Sequence, residues 1–390
     1  MRVLMIYPGL NPQVNDCAHV PAYLASTGMD VAVITARQNT SKSVESSSAY
    51  EEFRDVRIHR PYERFAEMIW RPARHLAACR EALATLRPDV LVCQQELNIR
   101  LTLLLQRGWP APILLVTEFA RALAEGHFGG RRVRLLWPFL GVPTWGSSFW
   151  RWLCRRVAGI ITANPGDAPY LEALSQGGAP VWHVPWCSDL SAYEPAPERD
   201  PGRLVYVGAF SDFKNTSELA ETIPLVLEHT PVREAVLVGD GDTRVVEDLR
   251  AAYGERVRHL PGLARAEVLA LLSGAFCAHT PVLVGGWGFI GDCWGTGTPL
   301  VATHDAYAFR HGVDALLAEG PEGVVAAVNG LAEDPALYAR LQAGGYERHR
   351  RHTAQAVGEG YRRALERVAG RTSATGAPPE GTPAIGGGLP

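Results

Sequence analysis

The feature that most limits what this chain can fold into is an alternation, sustained along most of its length, of short apolar runs with segments of helical period. The runs VLMIY, VAVIT, DVLVC, ILLVT and GIITAN lie in the first half, and RLVYVG, EAVLVG, RVRHL, FCAHT and PLVAT in the second. Each is too short for a buried helix and fits a strand covered on both faces. Between them, CAHVPAYLASTG, NTSELAETIPLVLEHT and TRVVEDLRAAYGE carry apolar residues at helical spacing, with Ser, Thr or Asp near their starts and Gly near several ends. Strand, helix, strand repeated in this way is the pattern of βα units around parallel sheets. At 390 residues the chain exceeds what one core fills, so two doubly wound α/β domains are expected.

Proline, charge and glycine cluster in SDLSAYEPAPERDPGR, which reads as a linker over 188–203. The expected parts are a first domain over 1–187, a second over 204–350, and a closing helix over 351–370. The tail 371–390 lacks hydrophobic mass and is expected to be disordered.

A net charge of −3 gives no sign of a nucleic-acid partner. Seven cysteines, at 17, 79, 93, 154, 187, 277 and 293, form no CxxC pair, and their odd number argues against a secreted disulfide framework. A cytoplasmic location is the expectation. The opening MRVLMIYPGL reads as a first strand, since its apolar run is far short of the ~20 residues a bilayer span needs. Only two of the 38 basic residues are lysines, Lys42 and Lys214. In an arginine-rich chain a lysine draws notice where chemistry prefers an ammonium to a guanidinium.

Three strand ends of the second half run into glycine turns: VYVGAFSDFKN, VLVGDGDTR and TPVLVGGWGFIGD. Glycine lets an anion approach the main chain, and amides at helix starts attract it. One such turn would be ordinary strand–helix geometry. Three in one domain, with Lys214 six residues after Gly208, point to a nucleoside diphosphate.

Here the sequence resembles the retaining GT-B glycosyltransferases of the large family, often called family 4, that includes sucrose synthase, mannosyltransferases and the mycothiol-pathway transferase. In that family a strand ends in Gly-Arg and a short loop ends in lysine. YVGAFSDFK offers Gly208 and Lys214, with Ala209 where the arginine belongs. Gly239, Asp240 and Gly241 match the family's Gly-Asp-Gly, and Leu263 and Ala264, after Gly262, match its base-reading loop. In GGWGFIGDCWGTGTP the distal pattern puts Asp292 where a glutamate accepts the ribose hydroxyls, while the glutamate that should open the motif is missing. The resemblance implies donor contacts from the amides around Gly286, Trp287, Gly288, Phe289 and Ile290.

The first domain should hold the acceptor. Gly9, Asn15 and Asp16 occupy the loop where relatives face the donor phosphate. Glu118 ends the strand ILLVT where many relatives carry a histidine, and Glu96 follows DVLVC. Both sit where ligands collect in open α/β sheets. The arginine- and tryptophan-rich stretch 131–156 is read as a loop lining the acceptor cleft plus a helix, ahead of a membrane contact.

The resemblance implies transfer from a nucleoside diphosphate sugar to a small polar acceptor, with Lys214 and Glu118 at the reacting centre and neither a metal nor a further cofactor. A nucleotide-sugar epimerase of the same fold, or an inactive nucleotide-sugar-binding protein, are the alternatives.

Overall fold

The computed structural model describes residues 1–10, 18–38, 48–118, 120–121, 147–188, 190, 193, 198–211, 214–282, 286–305 and 307–373, with side chains as far as residue 370. Its elements begin with β1 (Arg2–Ile6), α1 (His19–Ser26), β2 (Asp30–Gln38), β3 (Tyr50–Phe53), β4 (Val56–Arg64), α2 (Phe65–Trp70) and α3 (Leu76–Leu86). Next come β5 (Val90–Gln94), α4 (Ile99–Gln106), β6 (Ile113–Thr117), α5 (Ser147–Cys154), β7 (Gly159–Thr162), α6 (Asp167–Ser175) and β8 (Val181–His183). These eight strands form one sheet in the order β3-β4-β2-β1-β5-β6-β7-β8. All neighbours are parallel except β3 and β4. The central strands β5 and β6 are buried along their whole length, as expected of a parallel sheet covered by helices on both faces.

The second sheet has the order β11-β10-β9-β12-β13-β14 and is parallel throughout. Its elements are β9 (Asp200–Val207), α7 (Leu219–His229), β10 (Glu234–Val238), α8 (Arg244–Tyr253), β11 (Val257–Leu260), α9 (Arg265–Ser273), β12 (Ala275–Thr280), α10 (Trp287–Thr296), β13 (Leu300–Ala302) and β14 (Leu316–Leu317). Helices α11 (Gly320–Glu333), α12 (Pro335–His349) and α13 (Ala354–Ser373) follow. Strand β9 starts inside the stretch read as a linker. A register shift against β12, between Ala275 and Cys277, makes room there for Pro201, which has no N–H to give.

The chain passes between the two sheets twice, and the passages are tied together. Ser188 N–H donates to the His352 carbonyl at 2.8 Å, and His352 Nδ1 lies 3.0 Å from the Trp186 carbonyl. After the second passage α13 returns to the first sheet, where Val357, Tyr361, Ala364, Leu365 and Val368 join the core formed with β1, β2, β5, β6 and β7. The arrangement is that of a GT-B fold, two parallel-sheet α/β domains.

Candidate active site

In open parallel sheets ligands gather beyond the strand C-termini where the strand order reverses. In the second sheet that point lies between β9 and β12. The loop after β9 carries Lys214, and the chain after β12 leads into α10. In the first sheet the reversal lies between β1 and β5, which are followed by Gly9 and Glu96, with Glu118 after the adjacent β6. The two edges meet: the Tyr307 hydroxyl, from the chain after β13, donates to Glu118 Oε1 at 2.8 Å.

Glu118 is 7 % exposed. Burial pushes its carboxyl up to about 7, against the Tyr307 hydrogen bond and the Lys214 charge, which pull it down. The Trp186 indole N–H also favours the ionised form, though it makes no hydrogen bond of good geometry. Lys214 keeps part of its surface in solvent, yet enough protein surrounds the ammonium to lower it to about 8, with Glu118 opposing that shift. Both groups therefore titrate within reach of neutral pH.

The glycine run divides by purpose. A methyl at Gly291 would come within 2.9 Å of Ser188 Cβ and 3.0 Å of the Trp287 ring, and one at Gly295 within 2.5 Å of Leu190. Those glycines serve packing. At Gly288, in the first turn of α10, a methyl would meet no atom of a described residue within 4 Å, so among the described residues the helix start lies open there. The side chains of Trp287, Phe289 and Ile290 are buried, with Trp287 stacked on His352 at 4.0 Å between ring centroids. The Ile290 amide donates to the Gly286 carbonyl at 3.2 Å. The amides of Gly288 and Phe289, as first-turn groups, find no acceptor inside the helix.

Gly239 and Gly241 are required by a close approach of two loops. Their φ angles are 143° and 126°, and added Cβ atoms would lie 1.9 Å from the Gly208 carbonyl oxygen and 2.4 Å from that of Phe210. Between them Asp240 accepts the Phe210 amide through its carbonyl and, weakly at 3.5 Å, the Gly262 amide through Oδ1. Beyond Gly262, the Ala264 amide is taken by the Glu267 carboxylate at 2.8 Å. The amide and carbonyl of Leu263 make no hydrogen bond to a described residue.

Asp292 is buried and already well supplied with donors. Arg265 grips it with two nitrogens, Nη2 to Oδ1 at 2.6 Å and Nη1 to Oδ2, and the Ser188 hydroxyl donates to Oδ1 at 3.1 Å. A ribose hydroxyl would have to share that carboxylate.

On the first-sheet side Gly9 is buried, and Glu96 is buried with Oε2 accepting from Thr117 at 2.9 Å. Burial raises the Glu96 carboxyl above the usual range. Asn15, Asp16 and the aromatic stretch 131–146 lie outside the described residues. Among the described residues no group of three or more His, Cys, Asp or Glu side chains is placed to hold a metal ion, and no helix is long and apolar enough to cross a membrane.

Sequence reasoning overlooked Tyr307, Arg265 and Asp167. Asp167, at the start of α6, accepts the Ala120 amide at 2.8 Å, and burial pushes it up to about 7. Tyr307 follows β13 at the C-terminal edge, and attention to every strand end of the second sheet would have brought it forward.

Residues 201–334 match the family model described as glycosyl transferases group 1. No curated protein matches the sequence. Among solved structures, sucrose-phosphate synthase from Thermosynechococcus elongatus is similar at 17 % identity and a TM-score of 0.74, covering 95 % of this chain and 99 % of that one. Anabaena HepE in complex with UDP and glucose gives 12 % and 0.68, covering 94 % and 99 %. The catalytic domain of starch synthase IV from Arabidopsis thaliana, bound to ADP and acarbose, gives 12 % and 0.65, covering 95 % and 100 %. Residues 201–334 thus match the glycosyl transferases group 1 model, and the chain as a whole has the GT-B fold of these glycosyltransferase structures.

Proposed function

We propose that this protein transfers a glycosyl group from a nucleoside diphosphate sugar to a small polar acceptor, with retention of anomeric configuration. The observation that carries the reading is the convergence of Lys214, the open first turn of α10 and Glu118 where two sheet edges face each other. Lys214 and the amides of Gly288 and Phe289 stabilise charge building on the leaving diphosphate, in a cleft that domain closure shields from water. Structures of relatives with UDP, UDP-glucose and ADP support that class of donor. Retention fits a site whose Glu118 carboxyl is bonded by Tyr307 and lies within electrostatic reach of Lys214, because a carboxyl so engaged is poorly set to take a proton from the acceptor. The leaving phosphate takes it instead, and Glu118 orients the reacting groups.

The test is release of nucleoside diphosphate from UDP-, GDP-, ADP- and TDP-sugars, first without acceptor and then with sugars, cyclitols and thiols. Lys214→Ala is expected to lower release at least about tenfold with the fold intact, since removal of one charge-stabilising donor typically costs on the order of 10²–10³. An unchanged rate would remove Lys214 from the reacting centre, and binding without any release would make the chain an inactive binding protein.

A further inference from the structure

The two elements proposed to hold the donor's phosphates, Lys214 and the start of α10, are already linked to one anion, and that anion belongs to the protein. Glu118 lies within electrostatic reach of Lys214. It is tied to the start of α10 through Tyr307, whose hydroxyl donates to Glu118 Oε1 at 2.8 Å and whose ring lies against that of Trp287. Glu118 comes from the first sheet and the other three residues from the second, so the relay spans the cleft. Tyr307 is 3 % exposed, and its ring packs edge-on against Trp287 with centroids 5.2 Å apart. That packing fixes the direction of its hydroxyl.

We infer that Tyr307 is a positioning residue that holds the Glu118 carboxylate as an internal stand-in for the donor's phosphate, so that a nucleoside diphosphate sugar binds only by displacing or neutralising it. The inference rests on the proposed transferase reading and adds to it a residue and a coupling. Taking a charge out of water is costly unless opposite charge lies close, and before a donor binds Glu118 supplies negative charge within reach of Lys214. Once the diphosphate arrives, two anions compete for one ammonium, and the cheaper answer is to protonate the carboxyl.

Among the described residues, the charged and titratable groups acting on Glu118 are Lys214, Tyr307 and Glu96, the last of which disfavours its ionisation. With burial holding the carboxyl at about 7, the sign follows. Below that pH Glu118 is neutral and offers the donor no competition. Above it, a proton must be taken up or the carboxylate moved, and donor affinity falls. Lys214, at about 8, adds a second loss as its own charge disappears. The Tyr307 hydrogen bond favours the ionised carboxylate, so removing it moves the first loss to higher pH.

The experiment is calorimetric titration of the full chain with UDP-glucose, ADP-glucose and GDP-mannose between about pH 5.5 and about pH 9. Sugar-esterified donors are used because a free terminal phosphate titrates near pH ~6. Wild-type affinity is expected to fall about tenfold from about pH 6 to about pH 8, as one proton lost near 7 requires. Glu118→Gln keeps the shape and the acceptor for Tyr307 but not the charge. It should bind more tightly than wild type at about pH 8, without the step near neutrality. In Tyr307→Phe that step should move upward in pH. Identical pH profiles for wild type and Glu118→Gln overturn the inference and leave the transferase reading standing, and an even change at every pH in Tyr307→Phe overturns the positioning role. If none of the donors binds any form, the transferase reading fails and takes the inference with it.

Discussion

Removal of Arg265 would leave the Asp292 carboxylate buried with the Ser188 hydroxyl as its remaining side-chain donor among the described residues. An ion pair broken on one side costs more than the pair contributes, because the surviving charge stays desolvated. Arg265→Ala is therefore expected to cost about 3 kcal/mol, the low end of the usual range, since the arginine side chain keeps 19 % exposure against 3 % for Asp292. Adding Asp292→Asn should restore most of that loss in denaturant unfolding, and a double variant no more stable than the single one would show that the pair is not what holds this corner. The contrast with Lys214 is instructive. Lys214 stands at a fixed distance after a strand-end glycine, a local signal that survives in the sequence. Arg265 and Tyr307 act on partners 27 and 189 residues away, and no spacing rule announces such a meeting.

At the scale of elements, α10 separates glycines that serve packing from one that serves access. Glycine in the first turn of a helix has no geometric claim to its place, and in a helix interior it costs about 1 kcal/mol relative to alanine. Gly288→Ala meets no described residue within 4 Å and should leave stability unchanged or slightly raised, while weakening nucleotide-sugar binding by crowding the approach to the first-turn amides. Gly291→Ala should do the reverse and destabilise the protein by about 1–3 kcal/mol through overpacking against Ser188 and Trp287. Paired measurements of melting temperature and donor affinity check both, and a stable Gly288→Ala that binds donor as well as wild type would remove that turn from the donor site. In the sequence this run signals only that something approaches a backbone closely. Whether that is a ligand or a neighbouring side chain depends on the passage at Ser188 and Leu190, which pattern reading treats as linker. The strands were legible because a parallel strand buried on both faces is a continuous apolar run. The start of β9 was not, because DPGR has linker composition and is strand only through its pairing with β10 and β12.

At the scale of the molecule, the closing helix belongs with the half of the chain it follows least. The helical period over 353–369 shows one apolar stripe, yet nothing in it names the surface it covers. α13 lies on the first sheet, packed against α1, β5, β6 and β7. The absence of a side chain at Gly358 lets it close on Tyr23, since a methyl there would come within 2.2 Å of that ring. The first domain is thus completed only when the end of the chain has crossed back, and the two passages are tied to each other at Ser188 and His352. Leu365 is 0 % exposed and sits in the core shared with β1, β5 and β6. Truncating it to alanine should cost about 2–5 kcal/mol, and the loss should fall on the first sheet although the mutation lies after the second. Hydrogen exchange resolves the two cases: amides of β5, β6 and β7 should lose protection while those of β9, β10 and β12 keep theirs. Equal loss in both sheets would mean that the domains unfold as one unit, and loss confined to the second sheet would contradict the placement of α13.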